Sequence, residues 1–163
     1  GRTVRDGGGI TPDVTIEGHD YSRLTYSLVY SGIIQEYALD YVREHADADE
    51  DFHLADKDWD GFVAFAKTKE FDYRSSAKTY FDRMKKELEK DGLSKNMSAE
   101  LDALQKALEM DKETFLKLKK DEIVPFIEEE IAVRYHFQEA GIKIRLRYDD
   151  QLKKALASPM IEI

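Results

Sequence analysis

The stretch LTYSLVYSGIIQEYALDYV, residues 24–42, decides the fold class because its apolar residues recur at intervals of three and four. That spacing places them on one face of an α-helix. The face consists of Tyr26, Val29, Tyr30, Ile33, Tyr37 and Tyr41, and a second apolar stripe consists of Leu28, Leu39 and Val42. A helix with two apolar stripes can pack against neighbours on both sides, so we expect this helix near the centre of a helical domain.

Helical spacing of apolar residues returns in several later segments of the chain. These segments lie at about 56–66, 77–88, 98–108, 112–139 and 149–157. Gly92 is placed to cap the C-terminal end of one helix, and Asp149 or Asp150 can start the last one. The sequence therefore predicts an all-α bundle of five or six helices.

Two features of the long segment at 112–139 make its geometry harder to predict. Pro125 lacks a backbone N–H and crowds the preceding turn, so we expect a kink or a break there. We expect Gly141 to close the helix. The piece that follows, 142–148, alternates apolar with basic residues and fits either a strand or a helix.

The N-terminal segment differs in kind from the rest of the chain. Two short β-leaning pieces, 3–5 and 14–16, flank a glycine triplet and a Thr-Pro-Asp turn. Two strands of that length do not form a stable sheet by themselves. We therefore expect a short β arm at 1–20 that belongs to another domain, followed by a helical domain at 21–163.

Composition excludes several classes of function. The chain has 163 residues, a net charge of -9 and 11% aromatic residues, which is typical of a folded domain and unfavourable for binding nucleic acid. No apolar run is long enough to span a membrane. The absence of cysteine excludes disulfides, thiolate nucleophiles and cysteine-based zinc sites.

One motif resembles the first half of a calcium-binding EF-hand loop. Asp56, Asp58 and Asp60 stand at loop positions 1, 3 and 5, and glycine follows at position 6. Position 12 requires a bidentate Glu, but Lys67 stands there. We therefore interpret the three aspartates as an acidic first turn of a helix, stabilised by the helix dipole. A calcium-responsive domain stays an alternative that rests on these three residues.

The other motifs do not form a complete catalytic or metal site. Ser75 and Lys78 match the S-x-x-K spacing of penicillin-binding enzymes, but the companion motifs are absent and a helix start explains them. The DGGG run at 6–9 lacks the rest of a P-loop and is interpreted as a tight turn. The histidines lack the close spacing of metal ligands; they are His19, His45, His53 and His136.

A cluster of basic residues lies at 117–120. Lys117, Lys119 and Lys120 lie among the acidic residues Glu113, Asp121 and Glu122, so we expect a solvated helix face with ion pairs four residues apart. We assign no catalytic, cofactor-binding or metal-binding residue in the chain, and we expect no cofactor.

Two stretches resemble a known family. GRTVRDGGGITPDV, residues 1–14, resembles the segment that follows the catalytic residues in the C-terminal processing (tail-specific) serine peptidases of family S41. There, a GR-x-V/I strand and a G-I-x-P-D-V run return the chain to the peptidase core. EEEIAVRYHFQEAGIKIRLRYDDQLKKAL, residues 128–156, is similar to the tail of longer, Bacteroidetes-like members.

The resemblance implies a non-catalytic C-terminal domain. In that family the nucleophilic Ser and the general-base Lys precede the GR-x-V strand, so both would lie upstream of Gly1 and this chain itself would be inactive. The β arm would be left over from the peptidase core. The implied partners are the upstream peptidase domain, its protein substrates and a second copy of the chain, and the implied location is the periplasm or cell envelope. The alternative is a stand-alone helical protein-binding module.

Overall fold

A computed structural model describes residues 15, 16, 18 and 20–157. Residues 21–148 form one compact unit, and the other described residues belong to a second unit. The described residues contain eight α-helices and one 3-10 turn: α1 Arg23–Tyr30, α2 Ile33–Glu44, α3 Asp56–Lys67, α4 Ser76–Lys90, the 3-10 turn Ser94–Met97, α5 Ser98–Leu108, α6 Lys112–Leu118, α7 Lys120–Arg147 and α8 Asp150–Ala157.

The predicted all-α class is confirmed, with more helices than the five or six expected. No strand occurs among the described residues. The predicted β arm falls mostly on residues 1–14, which lie outside them, so the arm and the domain boundary at Tyr21 stay predictions. The last helix begins as expected: Asp149 Oδ1 accepts a hydrogen bond from the Leu152 backbone N–H at 2.9 Å, just before α8.

One reason for the larger number of helices is a break in the first predicted helix. Gly32 has φ +75° and separates α1 from α2. A residue with a Cβ adopts this left-handed conformation only at a cost, so glycine suits the position. Apolar periodicity runs through Gly32 without interruption because both helices bury their faces in the same core.

The core lies where α2 packs against α7, with α1, α3 and α6 around them. Apolar burial of this kind supplies most of the driving force for folding. The aromatic rings make edge contacts inside it, such as Tyr37 with Phe62 at 5.2 Å between centroids. The buried residues of this core are Leu24, Leu28, Ile33, Ile34, Tyr37, Ala38, Phe52, Trp59, Phe62, Val63, Ala66, Phe115, Leu116, Ile123, Ile127 and Ile131.

Of the kink or break expected at Pro125, the break is wrong. The helix continues through Pro125, and the non-helical backbone inside α7 lies at His136 and Phe137. Pro125 falls in the second turn of α7, and Asp121, whose carbonyl loses its donor, is exposed, so water can hydrogen-bond there instead.

The chain reverses direction at His136 and Phe137. Phe137 has φ 63° and ψ -170°, a conformation that strains any residue other than glycine. As a result α7 consists of a first arm, 120–135, and a second arm, 138–147, that folds back along it. The Arg145 guanidinium reaches the Glu129 carboxylate at 3.1 Å across the two arms.

The expectation that Gly141 ends the helix is also wrong. Gly141 is buried within the second arm, and the segment 142–148 is helical up to Arg147, which decides between strand and helix. A Cβ on Gly141 would collide with Cγ2 of Val133 in the first arm. Glycine therefore serves here to let two helices approach closely, not to cap one.

Helices α4 and α5 form a helical hairpin. They pack chiefly against each other and against the 3-10 turn that joins them. The predicted cap at Gly92 is confirmed: Gly92 has φ +73°, its N–H donates to Glu89 O at 3.2 Å, and the Leu93 N–H donates to Leu88 O at 2.9 Å. This Schellman arrangement satisfies the last carbonyls of α4 and turns the chain towards α5.

We expect Gly141→Ala to destabilise the fold by about 1–3 kcal/mol, because Val133 is β-branched and has little freedom to move away. The matched control is Gly61→Ala in α3, where the new Cβ would lie 3.4 Å from Tyr37 Oη. That substitution should stabilise by about 0.5–1 kcal/mol through helix propensity. Chemical denaturation measures both. Equal changes in the free energy of unfolding for Gly141→Ala and Gly61→Ala would contradict the close approach of the two arms of α7.

Candidate functional site

The most highly organised polar cluster in the described residues surrounds Glu128. This carboxylate lies on the first arm of α7 and is only 2% exposed. It accepts hydrogen bonds from the Leu54 backbone N–H at 2.8 Å, from Tyr148 Oη at 2.8 Å and from Arg147 Nη1 at 3.1 Å. A buried carboxylate is tolerated only when it is paired and hydrogen-bonded, and Glu128 meets both conditions.

Arg147 extends this cluster to the loop between α2 and α3. Its guanidinium donates to Phe52 O at 2.9 Å and to His53 Nδ1 at 3.0 Å, and it forms a short ion pair with Asp51. The second arm of α7 thus holds the loop through side-chain contacts to consecutive residues. We call Glu128, Arg147, Tyr148 and the loop residues 51–54 the Glu128 clasp.

The loop between α2 and α3, residues 45–55, is rich in aspartate and glutamate, and we call it the acidic loop. It contacts α7 at further points near the reversal of that helix. Tyr135 Oη donates to His45 O at 2.6 Å, and His136 Nε2 lies 2.5 Å from Ala48 O. Lys143 pairs with Glu50 at 3.0 Å, and this hydrogen bond and charge lower the pKa of Glu50. Each contact joins the loop to α7, so the loop and the helical reversal are positioned together.

The Tyr148 hydroxyl in the Glu128 clasp is suited to a structural hydrogen bond and not to proton transfer. Burial, followed by the hydrogen bond to Glu128, raises the pKa of Tyr148 to about 12. A phenol with this pKa stays protonated and donates its hydrogen bond throughout the physiological range. The sequence contained only a weak signal for this cluster, because Glu128 is the first of three consecutive glutamates and nothing local marks it as the buried one.

The three aspartates of the calcium-like motif do not converge. Asp56 begins α3, and Asp58 and Asp60 follow within the helix, where residues two apart point to different sides. Asp56 instead pairs with Lys120 at 2.6 Å, and that hydrogen bond lowers the pKa of Asp56. The interpretation as the acidic start of a helix is confirmed for Asp56 and Asp58.

Ser75 and Lys78 form the N-terminal end of α4. Ser75 Oγ accepts a hydrogen bond from the Lys78 backbone N–H at 3.0 Å and so caps the helix. The Lys78 ammonium pairs with Asp82 at 2.5 Å. Both line a cleft of about 390 Å³ that Phe115 also lines, but the hydroxyl and the ammonium are each engaged in the contacts just described. The predicted helix start is confirmed.

The described histidines do not form a metal site. His45 stacks on Tyr41 with 4.0 Å between ring centroids, His53 accepts a hydrogen bond from Arg147, and His136 contacts Ala48 O. Among the described residues no group of three or more His, Asp or Glu is arranged to hold a metal ion. His19 and the DGGG run lie outside the described residues.

The three lysines at 117–120 each have a carboxylate partner, so the predicted ion-paired face is confirmed. Lys117 pairs with Glu113 at 2.7 Å and Lys119 with Glu122 at 2.5 Å, while Lys120 reaches Asp56. Lys117 and Lys67 together lower the pKa of Glu113 to about 2. These pairs are mostly exposed and add little to stability.

Glu122 has a second role at the start of the bundle. Its Oε2 accepts hydrogen bonds from the Ser22 backbone N–H at 2.8 Å and from Thr25 Oγ1 at 2.9 Å. Burial acts to raise the pKa of Glu122, but the hydrogen bonds from Lys119, Ser22 and Thr25 outweigh it and lower the pKa to about 2. The beginning of α1 is thereby fixed to the beginning of α7.

We expect Glu128→Gln to lower the free energy of unfolding by about 2–4 kcal/mol, because it leaves Arg147 without its buried partner. The matched control is Glu139→Gln on the second arm, where the carboxylate is 82% exposed and pairs with Lys143 at 3.2 Å. That change should be too small to resolve. Urea denaturation measures the free energy of unfolding of both variants. Similar decreases for Glu128→Gln and Glu139→Gln would mean that the Glu128 clasp does not stabilise the fold.

A pH dependence follows from Glu122. Its pKa falls from 4.5 to about 2 on folding, so ionised Glu122 stabilises the fold above pH 4.5 and this contribution disappears as the pH falls towards 2. We therefore expect Glu122→Gln to be less stable than the parent at neutral pH, with a difference that narrows on acidification. Thr25→Val should show a smaller effect of the same sign. A difference independent of pH would refute this account.

Comparison with known proteins identifies the family. Residues 24–158 match the family model described as "Probable PDZ-protease, C-terminal helical domain". No curated protein and no solved structure is significantly similar to the chain. None of the described helices is long and apolar enough to cross a membrane. The match confirms the expectation of a C-terminal helical domain of a protease that the resemblance had implied. The chain belongs to the family of C-terminal helical domains of probable PDZ-proteases.

Proposed function

We propose that this chain is the non-catalytic C-terminal domain of a serine-type carboxy-terminal processing peptidase of family S41, and that it supports the catalytic domain. The observation that carries the proposal is the family match, which spans residues 24–158 and describes a C-terminal helical domain of a probable PDZ-protease. The N-terminal stretch GRTVRDGGGITPDV adds the link to S41, because it resembles the strand that follows the catalytic residues there.

The geometry of the described residues supports a structural role. The polar groups that the sequence offered as candidate chemistry are used within the fold: Ser75 caps α4 and Asp56 pairs with Lys120. Glu128, which the sequence did not single out, holds the acidic loop. Catalytic groups need free functional atoms gathered at one site. In the full protease, peptide bonds would be cleaved by a Ser/Lys dyad that lies upstream of Gly1. In such a dyad a desolvated Lys takes the proton of the Ser.

The full protease would cleave proteins of the cell envelope near their C-termini, in the periplasm or at the envelope surface. The helical domain would stabilise the catalytic domain or shape the access of substrates to it. The attachment of α1 to α7 through Glu122 supports this role, because it fixes the first helix of the domain to its longest helix.

The experiment compares four samples for cleavage of an unfolded protein substrate: the full-length protease, the protease truncated before Tyr21, this chain alone, and the truncated form with this chain added back. We expect the full-length protein to cleave, this chain alone to be inert, and truncation to change the rate or the cleavage pattern. Labelling of the full-length protein by a serine-directed fluorophosphonate would support a serine nucleophile.

Three results would contradict the proposal in whole or in part. Cleavage by this chain alone would place catalytic groups inside it. A full-length protein that cleaves nothing, while this chain binds a protein partner, would favour the alternative of a stand-alone binding module. Unchanged activity after truncation before Tyr21 would remove the supporting role and leave only the family membership.

A further inference from the structure

Within the described part of the chain, nothing covers an apolar face of the α4–α5 hairpin. The exposed residues of this face are Tyr80 at 66%, Met84 at 42% and Leu104 at 43%. Helical geometry places Tyr80 and Met84, four residues apart on α4, on the same side. Among the residues of the two helices only Phe81 and Leu101 are buried, so the hairpin has very little core of its own.

The hairpin makes few contacts with the rest of its compact unit. Its two helices pack chiefly on each other and on the 3-10 turn, and its base meets α6 around the cleft that contains Leu108 and Phe115. A pair of helices cannot bury an apolar stripe alone, and the common solution is to pack it against further helices. We infer that the apolar face of the α4–α5 hairpin is a dimer interface, covered by the same hairpin of a second copy of this chain.

Charge favours a second copy as the occupant. Helix α4 has five basic and three acidic residues, so its net charge is +2, while α5 has two acidic residues and one basic residue. In a two-fold dimer, if α4 of one copy contacts α5 of the second copy, then α5 of the first copy contacts α4 of the second. Packing α4 of one copy on α5 of the other therefore pairs opposite charges at both contacts.

The hairpin is also the part of the molecule best suited to approach another copy. The whole chain has a net charge of -9, but residues 76–108 contain seven basic and six acidic residues. Two copies that met through other surfaces would bring strongly acidic regions together, whereas two hairpins meet with almost no net charge. The four helices would then form a small bundle with Phe81, Met84, Leu101 and Leu104 at its centre.

The size of the face indicates a weak dimer. The 15 residues of α4 extend about 22 Å, and two adjacent helices are roughly 20 Å wide, so each copy offers roughly 400 Å². Both copies together would bury about 800–900 Å², at the low end of specific interfaces. This inference does not depend on peptidase activity, since the contact would form between helical domains.

Sedimentation equilibrium of the 163-residue chain tests the dimer directly. We expect the average mass to rise from 18.9 kDa towards twice that value between micromolar and millimolar concentration. Met84→Glu should raise the dissociation constant at least about tenfold, because two charges would meet near the two-fold axis. Leu118→Glu, a matched change at a 62% exposed position on α6, should leave it unaltered.

Circular dichroism melts should show that both variants remain folded. Should Met84→Glu fail to fold, the absence of cysteine from the chain allows a second measurement. Met84→Cys should give cross-linked dimers with a short bis-maleimide, whereas Leu118→Cys should not. A chain that stays monomeric up to millimolar concentration would overturn the inference. A dimer that is equally affected, or equally unaffected, by the changes at Met84 and Leu118 would overturn it as well.

Discussion

The buried carboxylate of Glu128 is the constraint on which the arrangement of this domain depends. It joins three parts of the chain that are distant in sequence: the first arm of α7, the end of that helix at Arg147 and Tyr148, and the loop before α3. Removal of the charge from water is costly, so the partners must stay in place to compensate for it. Apolar packing between α2 and α7 provides the driving force, and Glu128 fixes how the remaining pieces are placed on it.

The sharp reversal of α7 is possible because of a division of roles between neighbouring residues. Phe137 adopts a left-handed backbone at the turn, Gly141 lets the arms approach, and Arg145 and Arg147 hold the second arm to glutamates on the first. Strain at one residue is thus outweighed by several contacts that form only when the arms are antiparallel. Arg147 also contacts residues 51–53, so the reversal of α7 positions the acidic loop as well.

The sequence predicted the all-α class, the helix start at Ser75 and Lys78, the cap at Gly92, the start of the last helix at Asp149 or Asp150, and the ion-paired lysines. Each of these depends on residues close together in the chain. The sequence did not predict the reversal at Phe137 or the clasp at Glu128, which depend on contacts between distant segments. Pro125 misled the prediction, since its cost is small in an early turn of a helix with an exposed neighbour. Gly141 misled it too, because a glycine that ends a helix and one that permits close packing look alike in sequence.

The position of the α4–α5 hairpin also has a consequence for how the domain opens and refolds. Contacts between α2 and α7 close a long loop of chain, and the hairpin lies within that loop and depends mainly on its own local contacts. Segments of this kind behave as separate cooperative units, with amide protons that exchange without global unfolding. The loop-closure entropy that the α2–α7 core must overcome grows only slowly with length. The length of the hairpin can therefore change during evolution while the packing of α2 against α7 is preserved.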